Sequence, residues 1–386
     1  MGFRPAGVAV KARKGEEVRG QLNIVSDIES QKIEVFMKHT PKGILVDLEK
    51  NIVKLDKKGR GTINFKIKID NPESFEPLWI VVLGLSGEEE GEAYIGILPV
   101  NEQSETYTIR RAQKPSSAYA VGAPGFMEYY NQYVLSYRWR NGNERRGERL
   151  EISRSYDGLT YEEALSFTKD SYGYLSFEES DFAYGFEKEL VFVYSADVKR
   201  TWKIFLTRGR NIEDLELPGM EIVNYAKDPA VLYDRENNLF ILVYSNCRMK
   251  GHDLSVAVTE DFSDLRIITN SIVYNQFIDQ GNSWARYHIH AGCIRKSGGF
   301  YALFYDALPA YPSCFGSGWL GIAISKDLKK WIDLTSSEPI WRGEGIDRTF
   351  RYVSVHASSH EYFLYAEVEE KSGNKNLLVF HESFEE

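Results

Sequence analysis

The sequence predicts an all-β protein in which a five-bladed β-propeller follows a β-sandwich, because a strand-and-turn pattern recurs through its last two-thirds. The pattern is an alternating strand that ends in Ser-x-Asp or a close variant. Clear copies are Leu150–Asp157, Leu254–Asp261 and Leu320–Asp327, and weaker copies are Trp202–Thr207 and Leu377–Glu382. Equivalent positions at 157, 209, 261, 327 and 384 are 52, 52, 66 and 57 residues apart. Short strands at about this period are typical of propeller blades, so five copies predict five blades.

A second pattern recurs in step with the first. It is a β-branched and aromatic run that ends in tyrosine and is apolar on both faces, which favours a strand packed between neighbouring blades. The runs are Tyr133–Tyr137, Leu190–Tyr194, Phe240–Tyr244, Tyr301–Tyr305 and Tyr362–Tyr365. The ordered pairing of the two patterns indicates that each blade contains both strands.

The first hundred residues have a different pattern, with short alternating strands and a turn every 8–12 residues. Seven segments alternate: Val8–Lys11, Glu17–Ile24, Lys32–Lys38, Val53–Leu55, Gly61–Ile69, Leu78–Gly84 and Ala93–Leu98. They predict an immunoglobulin-like sandwich over residues 1–100. Residues 101–117 are then a linker and 118–386 the propeller. We expect the sandwich to brace the propeller, and carbohydrate binding is the alternative.

Composition excludes several classes of function. The chain has 386 residues, a net charge of −9 and a pI near 5.5, which argues against nucleic acid as a partner. No apolar run is long enough to cross a membrane, and no signal peptide is expected at the start. The widely spaced Cys247, Cys293 and Cys314 favour reduced thiols and a cytoplasmic location.

The innermost strand of each blade lines the channel of a propeller, and its first residues lie at one mouth. Counting back 14 to 16 positions from each landmark tyrosine gives Ala123, Glu179, Asp228, His290 and Arg351. Four of these five are ionisable although their strands are otherwise apolar. Ionisable groups in one narrow channel perturb each other's pKa values, and this separates acid from base roles.

Each candidate also has a structural interpretation. Glu178 and Glu179 could form a solvated strand edge, and alternation favours Glu179 as the functional residue. Asp228 precedes a proline and could be a turn residue. His288 and His290 share one strand face, where hydrogen-bonded structure, a substrate role or a metal pair is conceivable. The remaining candidates are Arg286 and Arg351 as carboxylate or anion partners, Asp306 and Glu367 as their supports, and the Ser-x-Asp ends as turn locks.

Three segments resemble the blades of the five-bladed glycosidases, which include glycoside hydrolase families 43, 32 and 130. They are Ser155–Tyr161, Lys227–Pro229 and Ile324–Trp331, and the resemblance covers roughly residues 119–384. It implies that Asp228 stabilises an oxocarbenium-like centre and that Glu179 is the general acid or the base. Ala123 stands where many of these enzymes place a base aspartate. The resemblance therefore leaves Glu179 and Asp228 as the acid/base pair, with His290 as a third proton-handling group.

These observations predict a glycoside hydrolase that acts on an oligosaccharide or glycoside without an organic cofactor. Trp284, Tyr287 and Tyr352 are the expected sugar platforms because each adjoins a residue of the channel. A structural calcium ion in the channel is compatible with the pattern. Two alternatives remain open: a phosphorylase in which Arg286, His288, His290 and Arg351 hold phosphate, and a propeller that only binds carbohydrate or protein.

Overall fold

The computed structural model describes residues 1–27, 31–70, 79–87, 89–116, 118–142, 146–185, 189–248, 252–310 and 318–383. Strands dominate these residues, and the helical elements are the short turns Lys169–Tyr172, Ile212–Asp214 and Val273–Phe277. The predicted all-β class is confirmed. Over the described ranges, no helix combines the length and the hydrophobicity that a membrane crossing requires.

Two sheets form the N-terminal region. Their strands are β1 (Gly2–Phe3), β2 (Gly7–Lys11), β3 (Glu17–Val25), β4 (Lys32–His39), β5 (Ile44–Leu48), β6 (Ile52–Lys54), β7 (Arg60–Ile69), β8 (Trp79–Ser86) and β9 (Glu89–Leu98). One sheet has the order β1-β3-β7-β5 and the other β2-β9-β8-β4-β6, with β2 parallel to β9. The seven predicted strands are present, whereas the short strands β1 and β5 were not predicted.

Alternation explains why these sheets form a sandwich. Ile63, Phe65 and Ile67 of β7 are buried, and the residues between them are more exposed. They face Val35 and Ile80 of the other sheet within one apolar core. Period-two burial is what an antiparallel sheet with one covered face requires.

The chain from Glu105 onward forms groups of four antiparallel strands. Its strands are β10 (Glu105–Arg110), β11 (Tyr119–Tyr129), β12 (Gln132–Asn141), β13 (Gly147–Ser155), β14 (Glu162–Thr168), β15 (Ser176–Tyr184), β16 (Leu190–Val198), β17 (Thr201–Gly209), β18 (Met220–Asn224), β19 (Ala226–Asp234), β20 (Leu239–Asn246), β21 (Asp253–Thr259), β22 (Arg266–Thr269), β23 (Tyr287–Ser297), β24 (Phe300–Leu308), β25 (Trp319–Ser325), β26 (Trp331–Asp333), β27 (Phe350–Ala357), β28 (Glu361–Glu369) and β29 (Lys375–Ser383). The groups are β11–β14, β15–β18, β19–β22, β23–β26 and β27–β29 with β10.

The first strands of the groups lie side by side. β11 contacts β15, β15 contacts β19, β19 contacts β23, β23 contacts β27, and β27 contacts β11. Strand β10 pairs with β29, so the segment before the first group supplies the outer strand of the last one. The predicted linker 101–117 therefore contains a strand. Its Tyr107–Ile109 alternation is too short to be distinguished locally from a polar connection, and the pairing with β29 is a long-range contact.

The Ser-x-Asp ends hold turns, as predicted. Ser155, Thr259 and Ser325 each end the third strand of a group. The Asp157 carboxylate accepts hydrogen bonds from the Leu159 and Thr160 backbone N–H groups at 2.8 and 2.7 Å. The equivalent aspartate of the fourth group binds two backbone N–H groups in the same way. These side chains close hairpins on the outer part of each group and take no part in the channel.

The sandwich packs against the last two groups. Tyr94 meets Phe300 edge to face with ring centroids 5.6 Å apart, and a side chain at Gly7 or Gly96 would collide with Leu334. The apolar core of the sandwich is continuous with residues of β24, β25, β27 and β28. Cys247 and Cys293 are free thiols, and Cys314 lies outside the described residues.

Candidate functional site

A bulge interrupts every first strand at the same place. The ladder to the second strand skips two residues in each group: 123–124, 178–179, 228–229, 288–289 and 352–353. The first bulge residue has a left-handed backbone in four groups, with φ of 56° at Ala123 and 51° at Asp228, His288 and Tyr352. Bulges re-aim side chains, and strained backbone of this kind is concentrated at functional sites. The bulges therefore mark equivalent positions on five first strands that lie side by side.

This register corrects the equivalences predicted from the tyrosines. Counting assigned Glu179, His290 and Arg351 to the same position as Asp228, whereas the bulges assign Glu178, His288 and Tyr352. The landmark tyrosines are out of register with one another. Tyr137 and Tyr244, of the first and third groups, lie opposite the bulge. Tyr194 and Tyr365, of the second and fifth groups, pair with the residue directly after the bulge. Tyr305, of the fourth group, pairs with the second residue after the bulge.

Two buried glutamates are held by arginines. Glu178 accepts hydrogen bonds from Arg138 and Arg140, which both lie on β12 of the first group. Glu367 accepts two hydrogen bonds from Arg351, at 2.9 Å from Nε and 2.6 Å from Nη2, and its other oxygen lies 3.1 Å from Arg138 Nη2. All five side chains are buried. The network therefore joins the first, second and fifth groups through charge.

A second set of contacts surrounds Asp228. Lys227 Nζ lies 3.1 Å from Asp228 Oδ2, and His290 Nε2 lies 3.9 Å from the same oxygen. His290 Nδ1 is hydrogen-bonded to Asp306 Oδ1 at 2.9 Å, and the Tyr352 backbone N–H donates to Asp306 Oδ2 at 3.1 Å. The His290 ring stacks on the Tyr352 ring at 5.2 Å. Residues of the third, fourth and fifth groups thus converge beside Asp228.

Tyr352 links the two sets of contacts. Two guanidinium groups lie near its ring, with the Cζ atom of Arg138 at 5.4 Å and that of Arg351 at 4.6 Å from the ring centroid. Burial and the carboxylates Glu178 and Asp228 raise the pKa of its hydroxyl, so the phenol is neutral. Planar cations stacked on an aromatic face are a favourable arrangement when water is excluded.

Glu178 and Glu179 have opposite environments although they are adjacent. Burial raises the pKa of Glu179 well above its ordinary value, and Asp228 and Asp306 raise it further. Neither carboxyl oxygen of Glu179 has a hydrogen-bond partner among the described residues. Burial also opposes ionisation of Glu178, but Arg138 and Arg140 outweigh it and lower its pKa well below the ordinary range. Burial and charge therefore move the two pKa values apart, which favours the acid form of Glu179 and the carboxylate form of Glu178.

His290 and Asp306 form a proton-handling pair. Burial, with a smaller contribution from Lys227, lowers the pKa of His290 well below its ordinary value, so the ring is neutral. Burial raises the pKa of Asp306 to about 7. An ionised Asp306 accepts the proton of Nδ1, and a protonated Asp306 donates to Nδ1 and leaves the proton on Nε2. The group that His290 presents to Asp228 thus depends on the protonation of Asp306.

Three other residues predicted to bind sugar or an anion lie in different surroundings from one another. Trp284 is buried, stacks on Tyr305 at 5.7 Å and donates its indole N–H to the Thr335 carbonyl at 2.6 Å, so it is a core residue and not a platform at the mouth. Arg286 is half-buried and donates to a backbone carbonyl of the preceding loop at 2.9 Å. Tyr287 is half-buried at the start of β23.

His288 lies in the bulge of β23, and burial lowers its pKa to about 4. Its ring centroid is 5.9 Å from that of His252, which lies 6.2 Å from His290. Burial lowers the pKa of His252 to about 2. The three rings are therefore neutral at pH 7 and can donate and accept hydrogen bonds.

Sequence reasoning missed Arg138, Arg140 and His252. Arg138 and Arg140 alternate with aromatic residues in Tyr137–Arg140, and two arginines spaced two apart in an apolar strand were a usable signal. His252 stands alone in a connection and offers no such signal. Nothing local indicates that it approaches the histidines of β23, because that contact joins two groups.

The first group has Ala123 at the bulge position where the second and third groups have the carboxylates Glu178 and Asp228. A side chain at Gly122 would lie 2.7 Å from Cγ of Glu367 and would also overlap its carboxylate. The glycine at 122 thus leaves room for Glu367, next to Ala123, the position at which many of the enzymes that this chain resembles place a base aspartate. Within the described ranges, no group of three or more histidine, cysteine, aspartate or glutamate side chains has a geometry that could hold a metal ion.

Solved structures with a similar fold include proteins described as glycoside hydrolases and mannoside phosphorylases. One described as a glycoside hydrolase has a TM-score of 0.55 at 14% identity, over 74% of this chain and 94% of that chain. A GH130 structure, from a family described as mannoside phosphorylases that contains glycoside hydrolases acting on β-1,2 mannosidic linkages in Candida mannan, has 0.50 at 12%, over 72% and 95%. The GH43_1 enzyme from Xanthomonas citri, complexed with xylotriose, has 0.50 at 11%, over 69% and 88%.

No protein-family model matches the sequence, and no curated protein is similar to it. The structural similarity defines the class of fold: an all-β, propeller-type fold like that of the glycoside hydrolases and phosphorylases of GH43 and GH130. Sequence identities of 11–14% carry the fold and no assignment of residues.

Proposed function

We propose that the chain is a glycoside hydrolase whose active site is the ring of bulge positions at one mouth of a five-bladed propeller. The blade count is supported by the closed succession of contacts among β11, β15, β19, β23 and β27, and by the way β10 completes the last group. An immunoglobulin-like sandwich over residues 1–100 would brace the last two blades. The proposed reaction requires no organic cofactor.

One observation carries the proposal: Glu179 is fully buried close to Asp228 and Asp306, and neither of its carboxyl oxygens has a hydrogen-bond partner among the described residues. A buried carboxyl with a raised pKa can donate a proton to the leaving oxygen of a glycoside at neutral pH. Asp228, the partner of Lys227, accepts the proton of the attacking water. The glycosidic C–O bond breaks, a C–O bond to water forms, and the two protons are accounted for by these carboxyls.

His290 would support this reaction. Its Nε2 lies 3.9 Å from Asp228 Oδ2, and its tautomer follows the protonation of Asp306. Tyr352, Arg351, Glu367 and His288 would line the sugar site, Tyr352 through its ring and the others through polar groups. Arg286 and Trp284 would lie outside it, because Arg286 donates to a carbonyl of the loop before β23 and Trp284 donates to the Thr335 carbonyl after β26.

The test is turnover of a chromogenic panel of arabinosides, xylosides, mannosides, galactosides and fructosides, with and without phosphate. We expect wild-type hydrolysis without phosphate, and a loss of about 10²–10⁴-fold in kcat for Glu179→Gln and for Asp228→Asn. Glu338→Gln, at an exposed position, is the matched control and should retain full activity.

The outcomes separate the alternatives. Turnover only in the presence of phosphate would replace hydrolysis by phosphorolysis. Sugar binding without any turnover would replace catalysis by recognition alone. Hydrolysis that survives both carboxamide substitutions would remove Glu179 and Asp228 from the mechanism.

A further inference from the structure

Three buried arginines beside the proposed site have N–H groups without a hydrogen-bond partner among the described residues. Arg138 Nη1, Arg140 Nε and Nη1, and Arg351 Nη1 make no hydrogen bond to any described residue. Each of these side chains is at least nine-tenths buried. An unpaired buried donor costs the full desolvation of that group, so native proteins nearly always satisfy it with protein, water or a ligand.

The charges of the same region do not balance. Four cations, Arg138, Arg140, Lys227 and Arg351, share three carboxylates in their ion pairs: Glu178, Asp228 and Glu367. Two further buried carboxyls, Glu179 and Asp306, do not each add a full negative charge at neutral pH, because burial raises the pKa of Glu179 well above its ordinary value and that of Asp306 to about 7. A buried positive charge in excess attracts an anion strongly, since little water screens it.

The arginines are continuous with the reacting groups. Glu178, which receives both Arg138 and Arg140, directly precedes Glu179 in the bulge of β15. Arg138 and Arg351 flank Tyr352, whose ring stacks on His290 beside Asp228. Arg140 lies next to last in β12, at the end of the strand that leads to the mouth. A group bound to these N–H atoms would therefore belong to a ligand in the same site.

We propose that Arg138, Arg140 and Arg351 bind an oxyanion, and that the sugar recognised by this site is acidic. The inference rests on the proposed function for what happens to that sugar. A planar guanidinium presents paired N–H donors that match the two oxygens of a carboxylate, as in a uronic acid. Inorganic phosphate also presents paired anionic oxygens to a guanidinium group, so the experiment tests both acidic sugars and phosphate.

The experiment is calorimetric titration of the full-length protein with glucuronate and galacturonate, with glucose and galactose as neutral counterparts, and with inorganic phosphate. We expect at least one acidic sugar to bind about tenfold or more tightly than its neutral counterpart, as one charge-assisted hydrogen bond predicts. Arg140→Gln should weaken that binding about 10–100-fold, and Arg140→Lys should weaken it less. Arg149→Gln is the matched control, since this half-buried arginine of β13 pairs with Glu151 and with none of the carboxylates named above, and it should bind like the wild type.

Binding of phosphate without preference for an acidic sugar would support the oxyanion site and identify phosphate as its source. Equal affinity for acidic and neutral sugars, together with no phosphate binding, would overturn the proposal. The wild-type comparison needs no variant, so it remains decisive if Arg140→Gln does not fold.

Binding is measured apart from turnover, so the two proposals fail separately. Selective binding of an acidic sugar with no hydrolysis of any uronide would leave the oxyanion site and reject the hydrolase. Hydrolysis of neutral glycosides at the same rate as acidic ones would leave the hydrolase and reject the oxyanion site.

Discussion

Replacing Glu367 by glutamine tests the buried charge network most simply. The substitution keeps the shape of the side chain and removes its charge. Glu367 accepts two hydrogen bonds from Arg351 and lies 3.1 Å from Arg138 Nη2, and none of the three side chains is exposed. Glutamine would remove the negative charge that Glu367 places beside the two buried guanidinium groups of Arg138 and Arg351.

Two independent arguments give a similar magnitude. Removing one partner of a buried ion pair costs about 3–5 kcal/mol. Burial alone would raise the pKa of Glu367, but Arg351 and Arg138 outweigh it and lower the pKa from 4.5 to about 2. A shift of this size corresponds to about 3 kcal/mol of stability at neutral pH. Because the folded pKa is the lower one, this stability is complete above pH 4.5 and is lost as the pH falls from 4.5 to 2.

The assay is urea unfolding followed by tryptophan fluorescence at pH 7 and at a series of acidic pH values. We expect Glu367→Gln to lower the free energy of unfolding by about 3 kcal/mol at pH 7, and the difference from wild type to shrink below pH 4.5. Glu338→Gln, at an exposed position, should differ from wild type by less than about 0.5 kcal/mol. A loss below about 1 kcal/mol for Glu367→Gln, or one independent of pH, would refute the reasoning.

Two further predictions concern packing and acid stability. Gly122→Ala should lower the free energy of unfolding by about 1–3 kcal/mol, because the new methyl group displaces Glu367, whereas Gly2→Ala, with nothing within 4 Å, should have no effect in the same urea assay. Burial lowers the pKa of His356 to about 4, so the unfolded chain binds a proton between pH 6.5 and 4 that the folded chain does not. Stability should fall as the pH is lowered from 6.5 to 4, and His356→Phe, which preserves a ring beside Phe126, should reduce the fall by about 3 kcal/mol; an unchanged pH profile would contradict the assignment.

The repeats made the architecture predictable because each strand group obeys local rules. Alternation, aromatic runs and the Ser-x-Asp turns are properties of a few consecutive residues, and the structure contains each of them. Strand β10 was assigned to a linker because its partner, β29, lies more than 250 residues away in the chain. Nothing in a short polar segment indicates which distant strand it will pair with.

The site was harder to predict because it depends on register and on contacts between groups. A bulge shifts the pairing by a residue or two, and tyrosines on the neighbouring strand do not record that shift. The prediction therefore selected the segments that contain the bulges, but it chose His290 and Arg351 where the bulges contain His288 and Tyr352. Arg138 and Arg140 escaped because their partners come from other groups.

The most direct measurement of the central claim is a crystal structure of the Glu179→Gln protein soaked with a glycoside of the panel. The account predicts that the sugar lies at the mouth formed by the bulges, with its glycosidic oxygen within hydrogen-bond distance of residue 179 and its anomeric carbon facing Asp228. A sugar bound elsewhere, such as on the sandwich of residues 1–100, with the bulge positions making no contact to it, would contradict the account.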